Sequence, residues 1–276
     1  MLKIGQFNLL RVVKTAPMGV FLDGANYGTI LLPKRYVPND CQIGSWVKVF
    51  IYLDSEDRLI ATTETPKVKV GECAALKAVS VSGFGAFLDW GLPKDLLVPR
   101  REQAYLMQQD RTYVVYVYVD EKTESIVGSS RLELFLNEFG AGFTPREAVD
   151  LLIYDQTDIG FKAVINGTHL GLLYKNEVFQ PLHVGQQLKG YIKAIRPDKK
   201  IDLMLQLPSS VAHDEVTQKI LTYLQAHDGK AALSDKSSPE LIYETFQVSK
   251  AHFKRAIGQL YKTKQIVIED GGIRLV

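Results

Sequence analysis

One phrase recurs in this chain at a fixed distance. Residues 16–23 read APMGVFLD and residues 82–89 read SGFGAFLD. Met18 maps onto Phe84, Gly19 onto Gly85, Phe21 onto Phe87 and Asp23 onto Asp89, all at an offset of 66. The same offset carries Pro33 of ILLP onto Pro99 of LLVP, and Asp54 of IYLD onto Asp120 of VYVD. One offset shared by separate places marks an internal duplication, which restricts the fold to units that can be strung in series. A more diverged third copy follows. DIGFKAV at 158–164, GLLYKNE at 171–177 and YIKAIRPDKKIDLML at 191–205 stand where the matching phrases stand in the first two. Residues 1–207 therefore read as three copies of one unit of about 66–75 residues.

Each unit is a run of short strands. In the second, ECAALKAVSV, GAFLDW, KDLLVP, TYVVYVYVD and SIVGSSR are rich in β-branched and aromatic residues, and SGFG, GLPK and DEKTES between them form turns. Alternation in TYVVYVYV sends one set of side chains inward and the other outward. Five strands in about 65 residues are too few for a sandwich and fit a closed barrel of the OB type, whose strands 2 and 3 face oligonucleotides. Gly19 and Gly85 are expected to let their strands coil sharply as the barrel closes. Trp46 and Trp90 are expected to pack near barrel ends.

A chain of 276 residues with 46% apolar content can fill several small cores. Its net charge of +2 excludes a basic coat, so polyanion binding must rely on local sites, or there is no nucleic-acid partner at all. Cys41 and Cys73 form no C-x-x-C and are expected to stay reduced, as in a cytoplasmic protein. No run approaches the roughly 20 apolar residues of a membrane span. The start, MLKIGQFNLLRVVK, lacks the apolar core of a signal peptide. The five histidines show no H-x-x-H spacing, and DSEDR at 54–58 reads as a solvated hairpin turn rather than a metal site. No phosphate loop or G-x-S-x-G turn is present. Hence no catalytic residue, metal or cofactor is expected.

The pattern G-x-G-A-F, then a G-L-V-H-like strand, then V-x-V-x-D and a hairpin, resembles the RNA-binding domain named after ribosomal protein S-one. That resemblance implies one nucleic-acid face per unit: two aromatics around the glycine, a His ending the third strand, and an Asp and an Arg four residues apart. The second unit carries Phe84, Phe87 and Asp120, with Pro99 in place of the His and Glu124 in place of the Arg. The first carries Phe21, Asp54 and Arg58, with Met18 and Pro33 as departures. The third has Ile159 and Lys162 for the aromatics, Tyr174 for the His, and Arg196 and Lys200 for the last pair. A strand phenylalanine is more often core than base platform, and Tyr174, Arg196, Lys199 and Lys200 equally suit an ordinary barrel rim. Repetition favours the binding reading.

The last quarter changes character after LPSS at 207–210. EVTQKILTYLQAH has apolar residues at 216, 220, 221 and 224, a helical spacing. SPELIYETF opens with Ser238 as N-cap and Pro239 at the first helical position. VSKAHFKRAIGQLYKTKQ places Phe253, Ile257, Leu260 and Tyr261 on one face, and QIVIEDGGIRLV reads as a hairpin around D-G-G. Three helices and a hairpin predict a winged helix-turn-helix whose third helix displays Lys250, Lys254, Arg255, Lys262 and Lys264. These cations suit nucleic acid or a plain solvated face.

The order ILLPKRYVP, DLLVPRRE, DLLIYDQTDIGFKAVINGTHLGLLYKNEVF, GYIKAIRPDKKIDLMLQ resembles the bacterial conserved virulence factor B family over essentially the whole chain. That family has three such barrels and a winged helix. The expected fold is mainly β with a C-terminal α+β domain: OB barrels at 1–66, 67–140 and 141–208, and a winged helix at 211–276. The expected function is non-catalytic binding of single-stranded RNA in post-transcriptional regulation. The alternative is a transcriptional regulator that reads DNA through the winged helix.

Overall fold

The computed structural model describes residues 2–207, 212–269 and 271–276. The linker expected at Pro208–Ser210 and Asp270 of the D-G-G turn lie outside the described residues.

The first barrel is built from β1 (Phe7–Ala16), β2 (Gly19–Asp23), β3 (Thr29–Pro33), β4 (Trp46–Leu53) and β5 (Leu59–Thr62). The second uses β6 (Cys73–Val81), β7 (Gly85–Asp89), β8 (Leu96–Pro99), β9 (Thr112–Val119) and β10 (Ile126–Ser129). The third uses β11 (Ala148–Gln156), β12 (Gly160–Ile165), β13 (His169–Tyr174), β14 (Gln187–Ile195) and β15 (Ile201–Met204). Each sheet closes, with the first running β1-β2-β3-β5-β4 and the others following the same plan. Closure leaves no bare sheet edge to cover.

The phrase-bearing glycines have a different reason from strand coiling. A Cβ on Gly19 would sit 2.1 Å from the Leu32 carbonyl oxygen, on Gly85 2.3 Å from that of Val98, and on Gly160 2.0 Å from that of Leu173. All three lie where the next strand's backbone passes too close for any side chain, so the phrase repeats because the close approach repeats.

The period-2 pattern of the long strands fills two cores at once. Val47, Val49 and Ile51 of β4 line the first barrel's interior. Phe50 and Tyr52, pointing the other way, are buried with Leu88, Trp90 and Val115 of the second barrel. Ring centroids of Phe50 and Trp90 lie 5.9 Å apart, edge to face. Likewise Val115 and Val117 of β9 face inward, while Val114 joins Leu132, Leu152, Val164 and Leu170 in a cluster shared with the third barrel. The outward set of TYVVYVYV is thus largely covered by neighbouring protein. Trp90 is buried as expected, but Trp46 is 65% exposed.

The C-terminal region comprises α1 (Ala212–Ala226), β16 (Lys230–Ala231), α2 (Pro239–Phe246), α3 (Lys250–Lys262), β17 (Ile266–Glu269) and β18 (Gly272–Leu275). The sheet runs β16-β18-β17. Ser238 caps α2 by accepting from Leu241 N, and Ser249 caps α3 by accepting from His252 N. Val216, Ile220, Leu224, Phe246, Phe253 and Ile257 meet in one core. Tyr261 departs from the expected apolar face and is 55% exposed. Leu260 takes the core-facing position, and the next residue lies about 100° further round the helix. Lys264 falls beyond the end of α3.

Candidate nucleic-acid interface

Strand register places the expected site residues. In the first barrel Phe21 pairs with Leu31, Leu31 with Ile60, and Ile60 with Tyr52, one row across four strands. The second barrel repeats the row as Phe87, Leu97, Val127 and Tyr118. The third gives Lys162, Leu172, Asp202 and Ala194. Asp54, Asp120 and Arg196 each follow the row's last residue by two positions.

In the first barrel Phe21 is half-buried, with Lys14 Nζ 5.9 Å from its ring centroid. Arg58 Nε and Nη2 donate to Asp54 Oδ2 at 2.9 and 2.8 Å, and Arg58 also pairs with Glu56 at 2.8 Å. Burial pushes the Asp54 carboxyl up, but the Arg58 side chain and the N–H groups of Arg58 and Glu56 outweigh it and hold it below the usual range. The hairpin is also tied to the second barrel: Lys94 Nζ donates to the Asp54 carbonyl at 2.7 Å and pairs with Asp57 at 2.8 Å. Asp54 and Arg58 therefore engage each other, while the rest of their hairpin is held to the second barrel.

The second barrel presents the aromatics. Phe84 is 83% exposed. Its backbone is pinned, since its N–H donates to Ser82 Oγ at 3.2 Å and its carbonyl accepts from Arg100 N at 3.1 Å. Phe87 is half-buried. Asp120 is nearly buried and accepts from Lys122 N at 2.9 Å, Thr123 N at 3.2 Å and the Arg101 guanidinium. The Lys122 N–H chiefly, helped by the Thr123 N–H and Arg101, outweighs the opposing effect of burial and holds this carboxyl below its ordinary value. Arg101, from the turn after β8, thus takes the cationic role that Glu124 cannot. Arg101 repeats Arg35 at the same offset of 66, but Arg35 lies over the Tyr36 ring at 4.6 Å and Asp54 pairs with Arg58, so the repeat marks the position of the cation and not its partner. Tyr118 was also missed, although it repeats Tyr52. Its ring lies 4.8 Å from that of Phe135, and burial, with the Glu102 carboxylate, pushes its phenol up to about 12.

In the third barrel Lys162, Arg196, Lys200 and the exposed Ile159 line one cavity of about 500 Å³. Each cation has an acidic neighbour: Asp155 3.4 Å from Lys162, Asp202 3.3 Å from Arg196 and Glu138 3.5 Å from Lys200. Arg196 and Asp202 invert the Arg–Asp arrangement of the first barrel. Tyr174 is not among the residues lining that cavity. It stands at the end of β13, with Lys193 Nζ 5.6 Å from its ring centroid.

In α3, Arg255 and Lys254 are exposed, and Lys250 is half-buried. Lys254 lies 3.5 Å from Asp235. Arg255, Ala251 and His252 line a cavity of about 320 Å³ with Lys193 and Phe179 of the third barrel. Gln206 bridges the two domains, bonding the Gln247 carbonyl at 3.3 Å and the His252 ring at 3.1 Å. Among the described residues no group of three or more His, Cys, Asp or Glu could hold a metal, and no helix is long and apolar enough to cross a membrane.

Two of the four units match known domain families. Residues 4–64 match the S1 domain and residues 218–275 the CvfB-like winged helix domain, both domain types of nucleic-acid-binding kind. A Bacillus subtilis protein named Uncharacterized protein YitL is 28% identical over 97% of this chain and 92% of its own length. Conserved virulence factor B of Staphylococcus saprophyticus is 28% identical over 99% of this chain and 94% of its own. The resemblance to that family therefore holds over nearly the full length. A crystal structure from Streptococcus pneumoniae, described as a multidomain protein with nucleic acid binding domains, is 25% identical over 99% of this chain and 98% of that one, with a TM-score of 0.46.

Proposed function

We propose that this chain is a non-catalytic, cytoplasmic RNA-binding protein that acts after transcription by occupying single-stranded segments of transcripts. Its units are barrels at 1–66, 67–140 and 141–208 and a winged helix at 211–276. The observation that carries the reading is Phe84. A ring 83% exposed on a backbone pinned from both sides is a preformed flat platform. Phe87 stands three residues on, and Arg101 with Asp120 lies beyond the same sheet row. Exposed rings beside cations bind unstacked bases, with little base preference because every base has a π-face. Several modest sites on one chain gain from high effective concentration.

Phe84→Ala with Phe87→Ala is expected to weaken binding of single-stranded RNA by about 1–3 kcal/mol for each base that no longer stacks. Fluorescence anisotropy at stated salt measures it, with circular dichroism confirming the fold. Unchanged affinity in the folded double variant would remove the platform role. Removing residues 211–276 is expected to leave soluble barrels with reduced affinity.

A second reading, DNA recognition by the winged helix, draws on Lys250, Lys254 and Arg255 along α3. Ala251, His252 and Arg255 face the third barrel, which leaves less of the helix for a major groove. Duplex DNA and single-stranded RNA of equal length, titrated side by side, discriminate the two.

A further inference from the structure

The third barrel's cavity does not end at its own rim. Tyr154, Glu133 and Lys162 line it, and the same three residues line a second cavity of about 650 Å³ in the cleft between the second and third barrels. That volume suits a nucleotide-sized ligand. Its floor is fixed, because Val114, Leu132, Leu152 and Val164 from both barrels are buried together beneath it, with Tyr154 and Val184 packed against them. A cleft whose walls share a core keeps its shape when empty, so little ordering is needed on binding.

Two features of the cleft are unexplained by folding. Tyr105 is 71% exposed, yet its loop is rigidly held. Gln103 accepts from Met107 N at 3.0 Å and donates to the Val98 carbonyl at 3.0 Å, Ala104 N donates to Ser130 Oγ at 2.9 Å, and Met107 is buried. Arg111, on the same cleft, is exposed and forms no ion pair with any described residue. The remaining cations are held by long contacts: Arg131 lies 3.9 Å from Glu133 and donates to the Arg101 carbonyl at 3.4 Å, and Lys162 lies 3.4 Å from Asp155.

We propose that this cleft is a nucleotide subsite continuing the third barrel's face. A single strand would leave Arg196 and Lys200, pass Lys162, and enter the cleft, where Tyr105 stacks one base and Arg111 holds a phosphate. The proposal rests on the RNA-binding reading above and names the path of the strand, which that reading leaves open. Its charge pattern suits a polyanion: a cation without an ion-pair partner among the described residues shares the cleft with an exposed ring, the two group types that bind single strands.

The test uses the full chain, oligouridines from about 4 to about 16 nucleotides long, and the variants Tyr105→Ala, Tyr105→Phe and Arg111→Gln. Long oligomers reach the cleft from the barrel face, so Tyr105→Ala is expected to weaken them about tenfold. Tyr105→Phe keeps the ring and is expected to retain the affinity of the unaltered chain. Arg111→Gln is expected to reduce the slope of log K against log salt by about 0.7. Both positions are exposed, and unchanged melting temperatures verify the fold. If the unaltered chain binds RNA and Tyr105→Ala and Arg111→Gln bind equally well at every length, the subsite is wrong while the general reading stands. If the unaltered chain binds no oligouridine, both fall.

Discussion

Arg101 and Asp120 are joined by an ion pair that spans two elements of the second barrel, the turn after β8 and the end of β9. In the first barrel the equivalent carboxylate, Asp54, takes its guanidinium from Arg58 in its own hairpin. The charge pair persists while the residue supplying the cation moves.

That pairing has a pH signature. Asp120 is held below its ordinary value by the Lys122 and Thr123 N–H groups and by Arg101. A lowered folded-state value adds stability that is present above the unfolded value of about 3.9 and is lost as pH falls through the folded value. Arg101→Gln is expected to raise the Asp120 value toward 3.9 and shrink this acid-side loss. A carboxyl NMR titration of both proteins measures it. An Asp120 titration unmoved by the substitution would show that the backbone N–H groups suffice.

The junction of the first two barrels depends on Trp90. Its ring meets Phe50 at 5.9 Å and Tyr52 at 6.4 Å, and its indole N–H donates to the Lys94 carbonyl at 2.6 Å. Trp90→Ala is expected to cost about 3–5 kcal/mol. Because Phe50 and Tyr52 lose their cover, limited proteolysis should cut between the barrels earlier than in the unaltered protein. Cleavage at an unchanged rate would mean that the polar ties, Lys94 to the Asp54–Asp57 hairpin and Val70 to Gly5 and Gln6, hold the junction without the ring.

Two glycines should respond to alanine with opposite signs. At Gly85 the new methyl meets the Val98 carbonyl oxygen at 2.3 Å, and backbone cannot step aside. Gly85→Ala is expected to destabilise by about 1–3 kcal/mol. Gly258 lies inside α3 with nothing within 4 Å of the added methyl. Gly258→Ala is expected to stabilise by about 0.5–1 kcal/mol. Urea unfolding of both variants checks the pair.

In the third barrel the cations and the ring should separate in a salt titration. Lys200→Ala removes one phosphate-binding cation and is expected to flatten the slope by at most about 0.7, since Glu138 already competes for it. Tyr174→Ala is expected to lower affinity with the slope nearly intact, because stacking releases few ions. Arg196→Ala is less clean, as it strands the buried Asp202 and is expected to cost about 1–3 kcal/mol of stability. If Lys200→Ala and Tyr174→Ala both leave RNA affinity and slope unchanged, this barrel is a spacer.

The repeat, the barrel type, the winged helix and the Ser238 cap were legible in the residues themselves. Each is written locally, as a fixed offset, a period of 2 or 3.6, or a hydroxyl ahead of a helix. Partnership across long separations was not. Nothing in VYVDEKTE announces that Asp120 finds Arg101, nor does GSWVKV show that Trp46 stays exposed while Trp90 is buried. The expectation that Lys162, Tyr174, Arg196 and Lys200 gather together met a fold that places three of them around one cavity and the fourth outside its lining. Local pattern specifies strands and their inward faces, because side-chain alternation is a property of one strand. Which barrel covers the outward face of β4 or β9, and which carboxylate reaches a cation first, depends on how whole barrels pack, and only the tertiary structure decides that.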